Sequence, residues 1–313
     1  MRIRGKFLAA AVPVGVALLA SACSSSAATP PSSGGSPGST IVAVGAENEY
    51  ANVMQQVGGK YVRVSAVMSN PSTDPHTYEA SSSVAQEISA AQLVIQNGVG
   101  YDTFMNTIEN AAPNSKRKVI NVQKLLGLPD NTPNPHLWYK PTTMPVVANA
   151  IANDLASLDP AHASYFHANA RTFINSLASW NQAIAAFKTK YGGTPVATTE
   201  PVADYMLQAA GADNMTPFTF QANIMNGVDP SAQNVALERS LFTQHKVKAF
   251  LYNQQVTSSL TQSFITLARQ NGIPVVGVYE TMPTPGYDYQ HWMLTEVQDL
   301  QKAVVNKTST EHL

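Results

Sequence analysis

Short runs rich in valine and isoleucine alternate with segments of helical periodicity along most of the chain, and this alternation limits the possible folds strongly. The runs lie at residues 41–44, 62–68, 93–95, 195–198, 247–252 and 274–279. Strands that alternate with helices are typical of parallel sheets whose faces are covered by helices. Because the pattern occurs twice, we predict an α/β protein with two lobes, each built on a parallel-sheet core.

A long helical segment separates the two groups of predicted strands. Apolar residues recur every three or four positions over residues 161–191. About 30 helical residues would extend about 45 Å, so we predict a single long helix that joins the lobes. Two shorter helices with a break near Ser176 or Ser179 would fit the same pattern. The predicted domains are an N-terminal lobe at 40–160, the linking helix at 161–191 and a C-terminal lobe at 192–313.

The first 39 residues differ in composition from the rest of the chain. A basic start, an apolar stretch shorter than a membrane-spanning helix and several small residues precede Cys23, the only cysteine. This order is typical of a signal peptide followed by a lipid-modified cysteine. A secreted protein with a stray or buried cysteine is the alternative. We predict a signal peptide at 1–22, lipidation of Cys23 and a flexible tether of small, uncharged residues at 23–39.

Charge and cysteine content exclude several classes of protein. The formal net charge is −1, and charged residues make up 12% of the chain. No basic cluster is present in the sequence, so nothing indicates a nucleic-acid-binding protein. Since the single cysteine is assigned to the anchor, neither a disulfide framework nor a thiolate metal site is expected.

Two histidines occupy closely similar local sequences. His76 lies in Asp-Pro-His-Thr-Tyr, and His136 lies in Asn-Pro-His-Leu-Trp. In each, a proline restricts the backbone before the histidine, and an aromatic residue follows two positions later. Loops at the ends of strands and helices often carry the binding sites of α/β proteins, so both histidines are candidate metal ligands. A solvated side chain is the alternative for each.

Two glutamates follow predicted strands of the C-terminal lobe. Glu200 comes after residues 195–199, and Glu280 comes after residues 274–279. An acid at such a strand end can point into a cleft between lobes, although a helix cap or a salt bridge is the alternative. Two carboxylates and two imidazoles form a mixed oxygen and nitrogen set that suits borderline divalent ions and disfavours Cu(I).

These motifs resemble those of the metal-binding solute-binding proteins that serve ABC transporters for zinc, manganese and iron. The similarity extends over residues 41–308, and the Asp-Pro-His element around His76 is its most specific part. The other matching stretches are residues 97–98, 134–138, 232–247, 252–255 and 273–276. The resemblance implies two lobes with the metal site in the cleft between them. It implies His76 and His136 as ligands from the first lobe, and Glu200 and Glu280 from the second.

The resemblance also implies a function. We expect an exported, lipid-anchored protein that captures Mn²⁺ or Zn²⁺ and delivers it to the membrane permease of an ABC transporter. The third ligand of the family is a histidine in typical zinc binders and a glutamate in typical manganese binders, so Glu200 favours manganese. The fourth is usually an aspartate, and Asp288 and His291 are close enough in sequence to replace Glu280 in that role. We expect a monomer without enzymatic activity, on the outer face of the cytoplasmic membrane or in the periplasm.

Two other functions use some of the same features. Two histidines and a carboxylate could hold a catalytic zinc ion with a bound water, as in an exported zinc-dependent hydrolase. The sequence contains no His-Glu-x-x-His motif, and both candidate acids are assigned as ligands, so a spare general base is lacking. A surface adhesin or receptor would share the lipid anchor.

Overall fold

A computed structural model describes residues 40–70, 78 and 81–313 of the chain. The predicted signal peptide, the lipidated Cys23, the tether and the candidate ligand His76 lie outside these described residues and stay predictions. Thr40–Leu313 form one compact unit. Among the described residues, no helix combines the length and the apolar character needed to cross a membrane.

Four parallel strands form the sheet of the first lobe, in the order β2-β1-β3-β4. These strands are β1 (Ile41–Glu47), β2 (Val62–Met68), β3 (Leu93–Gln96) and β4 (Lys118–Asn121). The helices of this part of the chain are α1 (Asn48–Gly58), α2 (Ser82–Ala90), α3 (Thr103–Ala111), α4 (Val122–Leu125) and α5 (Thr143–Leu158). The three strands predicted here are confirmed, and β4 is an additional strand.

The second lobe repeats this arrangement with a parallel sheet in the order β6-β5-β7-β8. Its strands are β5 (Pro195–Thr198), β6 (Asp213–Asn214), β7 (Ala249–Asn253) and β8 (Val275–Val278). Its helices are α8 (Asp204–Ala209), α9 (Phe218–Met225), α10 (Ala232–Thr243), α11 (Ser259–Gln270) and α12 (Tyr289–Asn306). The two-lobe α/β prediction is therefore confirmed, and both sheets direct the carboxyl ends of their strands to one edge.

The segment predicted as one long helix consists of two helices in the structure. They are α6 (Ala163–Ser176) and α7 (Ala178–Tyr191), and only Leu177 separates them. The backbone of Leu177 keeps helical dihedral angles, with φ at −72° and ψ at −6°. The hydroxyl of Ser176 donates to the carbonyl of Phe173 at 2.7 Å, and such bonds compete with the regular helical ladder. The structure thus agrees with the alternative of two shorter helices with a break near Ser176.

Side-chain amides on one face of helix α1 form hydrogen bonds to the segment before α12 and to the first residues of α12. Asn48 accepts from the backbone N–H of Met282 at 2.9 Å and donates to its carbonyl at 2.7 Å. Four residues further on, Asn52 accepts from the N–H of Tyr289 at 3.1 Å. Another four residues on, Gln56 pairs with Gln290 at 3.0 Å. Because residues four apart share one helix face, these bonds fix the start of α12 against α1.

A buried carboxyl group lies in the aromatic core where α12 packs. Glu296 is 1% exposed. Its Oε1 accepts from the indole N–H of Trp292 at 2.9 Å and from the hydroxyl of Tyr139 at 3.1 Å. Burial raises the pKa of Glu296 to about 8. The folded protein therefore retains a proton on this group in a pH range where the unfolded chain releases it.

We predict that Glu296→Gln makes stability less dependent on pH. A raised pKa in the folded state means that stability falls as pH rises from the unfolded value towards about 8. Glutamine keeps the accepting oxygen but does not titrate. From pH 5 to pH 8, the free energy of unfolding of the natural chain should fall by roughly 2 to 4 kcal/mol more than that of the variant. Urea denaturation at both pH values measures this, with the exposed Asp229→Asn as control. If the free energy of unfolding changed equally with pH in Glu296→Gln and in the natural chain, the raised pKa of Glu296 would be contradicted.

Candidate metal centre

The carboxyl ends of the second-lobe strands place two of the predicted ligands in the interior. Glu200 lies two residues beyond β5, and Glu280 lies two residues beyond β8. Their exposed fractions are 2% and 0%. His136, from the loop before α5, is also 0% exposed. Charged or ionisable side chains are seldom fully buried without partners, so the contacts of these three residues define the site.

The structure brings His136 and Glu280 into direct contact across the two lobes. His136 Nε2 lies 3.2 Å from Glu280 Oε2. The hydroxyl of Tyr101 donates to the same carboxylate oxygen at 2.8 Å. Tyr101 belongs to the first lobe, so Glu280 has two partners from the opposite lobe.

Glu200 joins this pair through a shared amide. Asn253, the last residue of β7, donates from Nδ2 to Glu200 Oε1 at 3.1 Å and to Glu280 Oε1 at 2.6 Å. Gln255 adds backbone support, because its Oε1 accepts from the N–H groups of Glu280 at 2.6 Å and Thr281 at 2.8 Å. Three of the four predicted ligands therefore lie in one buried network.

His136 is held on its other side by Asn134. Asn134 Oδ1 accepts from the backbone N–H of His136 at 3.0 Å and lies 2.8 Å from its ring Nδ1. The amide nitrogen of Asn134 donates to the carbonyl of Pro201 at 2.7 Å. Pro201 directly follows Glu200, so Asn134 connects the histidine of one lobe to the acid-bearing loop of the other.

The described residues do not by themselves form a complete metal centre. Within residues 40–70, 78 and 81–313, no group of three or more His, Cys, Asp or Glu side chains is arranged so that it could hold a metal ion. What the structure shows is a contacting pair, His136 and Glu280, with Glu200 connected through Asn253. The fourth predicted ligand, His76, is outside these residues. The ligand set therefore stays a prediction.

The two residues considered as replacements for Glu280 lie elsewhere. Asp288 caps the start of α12, where its Oδ1 accepts from the N–H of His291 at 2.9 Å. The same oxygen lies 2.7 Å from the ring Nδ1 of His291, and the two side chains are 31% and 70% exposed. They pair with each other near the surface, so Glu280 is the acid from this region that contacts His136.

Three further acids of the first lobe are buried at the end of β1 and beside α3. Burial raises the pKa of Glu47 and of Glu49 well above the usual glutamate value, and neighbouring carboxylates, among them Asp102, add to the effect. Burial raises the pKa of Asp102 to about 6, although the N–H groups of Asn97 and Gly98 donate to it at 2.6 and 2.9 Å. Burial therefore disfavours the charged form of both glutamates.

Sequence reasoning missed the residues that hold the candidate ligands in place. Asn134 and Asn253 both lie in stretches that carry the family resemblance, but their roles depend on partners far away in sequence. Tyr101 follows the Asn97-Gly98 stretch and had no distinguishing motif. A polar amide directly before a Pro-His pair, or at the end of a strand, is the only local signal that could have indicated them.

Comparison with known proteins gives a family match over most of the chain. Residues 44–303 match the ZnuA family, described as zinc-uptake complex component A, periplasmic. The manganese-binding lipoprotein MntA of Bacillus subtilis is 25% identical over 136 residues, which are 42% of this chain and 44% of MntA. The zinc-binding protein AdcA of Streptococcus pyogenes is 20% identical over 265 residues, 73% of this chain and 49% of AdcA. The chain thus spans about half the length of these two relatives.

A third relative is matched over more of its length. The manganese ABC transporter substrate-binding lipoprotein PsaA of Streptococcus anginosus is 20% identical over 255 residues, 76% of this chain and 79% of PsaA.

Solved structures show the same fold. A crystal structure of ZnuA superposes with a TM-score of 0.69 at 20% identity and covers 85% of this chain and 99% of that one. The solute-binding protein FpvC of Pseudomonas aeruginosa in complex with Mn²⁺ gives a TM-score of 0.70 at 20% identity, with 85% and 98% covered. At such identities the likeness concerns the fold alone. The match over residues 44–303 shows that the chain belongs to the ZnuA family of periplasmic zinc-uptake components.

Proposed function

We propose that this protein captures a divalent transition metal ion, Mn²⁺ or Zn²⁺, outside the cytoplasm and delivers it to the permease of an ABC transporter. The contact that carries the proposal is the buried pair of His136 Nε2 and Glu280 Oε2, which joins the two lobes. Family membership supports the same function. The names of MntA, AdcA and PsaA describe manganese-binding and zinc-binding proteins.

In this proposal the ion replaces a shell of water with four protein ligands, His76, His136, Glu200 and Glu280. Two carboxylates balance the double positive charge, while the neutral imidazoles add nitrogen donors. Burial of the described ligands supports tight binding, since charges interact more strongly away from water.

Asn134 prepares His136 for this role. Its Oδ1 can only accept a hydrogen bond, so in a neutral ring the proton lies on Nδ1 and Nε2 carries the lone pair. That lone pair faces Glu280 Oε2 at 3.2 Å, so a proton or a metal ion can lie between these two acceptor atoms. A proton and a metal ion therefore compete for the same place, so metal should bind more weakly in acid.

Release is expected to need a local change rather than a wide hinge motion. The loop of Glu280 is bonded to the second lobe through Gln255 and to the first through Asn48, which pairs with Met282. The loop of Glu200 is bonded to the first lobe through Asn134. A wide opening would break the bonds of Asn48 to Met282 and of Asn134 to Pro201, whereas a shift of one loop would remove one ligand.

Several finer points belong to the same proposal. We infer that the protein has no catalytic activity, because both acids serve as ligands and neither remains as a general base for a hydrolase. Family membership likewise favours transport over an adhesin role. Acylation of Cys23 would hold a monomer on the outer face of the cytoplasmic membrane, and MntA and PsaA are both named lipoproteins.

We predict that the purified protein binds one equivalent of Zn²⁺ or Mn²⁺. The variants His136→Ala, Glu200→Ala and Glu280→Ala should each retain only a small part of this metal content. Removal of one ligand from a four-ligand site leaves the ion partly hydrated. Elemental analysis after dialysis against each metal measures the content. His291→Ala is the matched control, since this histidine is 70% exposed and pairs with Asp288. Full metal content in all three ligand variants would refute the proposed site.

We predict that Asn134→Ala weakens metal binding about 10- to 100-fold while the protein stays folded, because His136 loses the partner of its Nδ1 proton. Competition with a chelator of known affinity measures the dissociation constant, and circular dichroism checks the fold. Asn169→Ala is the control, because it removes a bond from an amide to the carbonyl of Val57, at the far end of α1. Equal affinities in Asn134→Ala and the natural chain would show that Asn134 does not orient the ligand.

A further inference from the structure

Residues 309–313 return from α12 to one edge of the second sheet, and we call them the strap. β8 is the edge strand on that side of the sheet. The backbone N–H of Thr310 donates to the carbonyl of Val275 at 2.9 Å, and the carbonyl of Thr310 accepts from the N–H of Gly277 at 2.8 Å. The two segments run parallel, with Thr310 beside Val276. The strap therefore pairs with backbone groups that an edge strand otherwise leaves without a partner.

Glycine at position 277 permits this close docking. A Cβ atom on Gly277 would overlap the backbone carbonyl of Glu311. The same carbonyl accepts from the side-chain amide of Gln254, the residue after β7, at 2.5 Å. The carboxylate of Glu311 forms a bidentate ion pair with Arg269 of α11, at 3.2 Å for Nε and Oε1 and 2.5 Å for Nη2 and Oε2. The strap is thus bonded to β8, to the segment after β7 and to α11.

The contact with Gln254 reaches the segment that holds Glu280. Gln254 lies between Asn253 and Gln255 in the sequence. Asn253 donates to Glu280 Oε1 at 2.6 Å. The side chain of Gln255 accepts from the backbone N–H of Glu280 at 2.6 Å. Because these three residues are consecutive, a displacement of Gln254 moves both groups that hold the candidate ligand.

A second contact of the strap reaches the loop of Glu280 through Tyr279, the residue directly before it. The hydroxyl of Tyr279 accepts weakly from the backbone N–H of Leu313 at 3.5 Å. Leu313 is half-buried and packs against the hydrophobic cluster that contains Tyr279. The backbone carbonyl of Tyr279 in turn accepts from the hydroxyl of Tyr139 of the first lobe at 2.8 Å. The strap therefore supports this loop where the second lobe meets the first.

We propose, as a refinement that rests on the proposed function, that the strap positions Glu280 for metal binding, so that docking of the strap and binding of the ion stabilise each other. No residue of the strap is a predicted ligand, so the strap acts through Gln254 and Tyr279. A docked strap restrains the loop of Glu280, and a bound ion restrains the same loop. By thermodynamic linkage, loss of either one weakens the other by an equal factor, and such couplings usually amount to about 5- to 150-fold.

Thr310→Pro tests the proposal, because proline removes the N–H that donates to Val275 and leaves every predicted ligand unchanged. Release of Zn²⁺ into excess chelator, followed by stopped flow, should be at least about fivefold faster than in the natural chain. Gly277→Ala places a methyl group against the carbonyl of Glu311, so it should act in the same direction. Circular dichroism checks the fold of both variants. Release at the natural rate from both folded variants would overturn the proposal.

His312→Pro is the matched control. His312 belongs to the same strap and is exposed, and within the described part of the chain its backbone N–H has no hydrogen-bond partner. This variant introduces the same ring without removal of a bond to β8, so Zn²⁺ release should keep its natural rate. Equal acceleration in His312→Pro and Thr310→Pro would contradict the assignment of the effect to docking on β8.

Hydrogen exchange in the natural chain gives a second readout, which a purely structural strap would not change. Zn²⁺ should slow exchange at the N–H groups of Thr310 and Gly277 at least about fivefold more than at Gly193. Gly193 donates to the carbonyl of Gly211 at 2.7 Å before β5, at the end of the second sheet away from Glu280. Equal slowing at all three groups would refute the coupling. If the natural chain bound no Zn²⁺ or Mn²⁺ at all, the proposed function would fail instead, so the two failures are distinguishable.

Discussion

The buried contact of His136 with Glu280 is the interaction on which the rest of the site depends. An ionisable pair removed from water costs free energy unless hydrogen bonds satisfy its remaining atoms. The surrounding polar groups supply these bonds: Asn134 at the imidazole, Tyr101 and Asn253 at the carboxylate, and Gln255 at the backbone of Glu280. A pair supported in this way is preorganised, so under the proposed function an ion would meet these two side chains already in place.

The architecture explains why such a pair can form between lobes. Both sheets have the same strand order and are parallel, so each directs the carboxyl ends of its strands to a single edge. The acids follow β5 and β8 at that edge of the second sheet, and the amide row of α1 holds the segment beyond Glu280 against the first lobe. The stability of the interface and the geometry of the site therefore depend on the same hydrogen bonds.

Periodicity in the sequence predicted the strands that are buried on both faces, since β8 is apolar throughout and β3 and β7 are apolar up to a polar last residue. It missed β6, which has two polar residues, and β4, which begins at a lysine; such short edge strands form through their neighbours. His136, Glu200 and Glu280 were predicted because local motifs place them at the ends of elements. The role of Asn253 could not be predicted, because its acceptors lie 53 and 27 residues away and only the folded chain brings them together.

Anomalous diffraction from crystals grown with Zn²⁺ tests the central claim most directly. We expect a single strong peak at the zinc edge, within about 2.0 to 2.2 Å of His136 Nε2 and of an oxygen of both Glu200 and Glu280. Its fourth protein ligand should be His76. A peak between Asp288 and His291, or no peak between the lobes in a protein shown to contain zinc, would contradict the account.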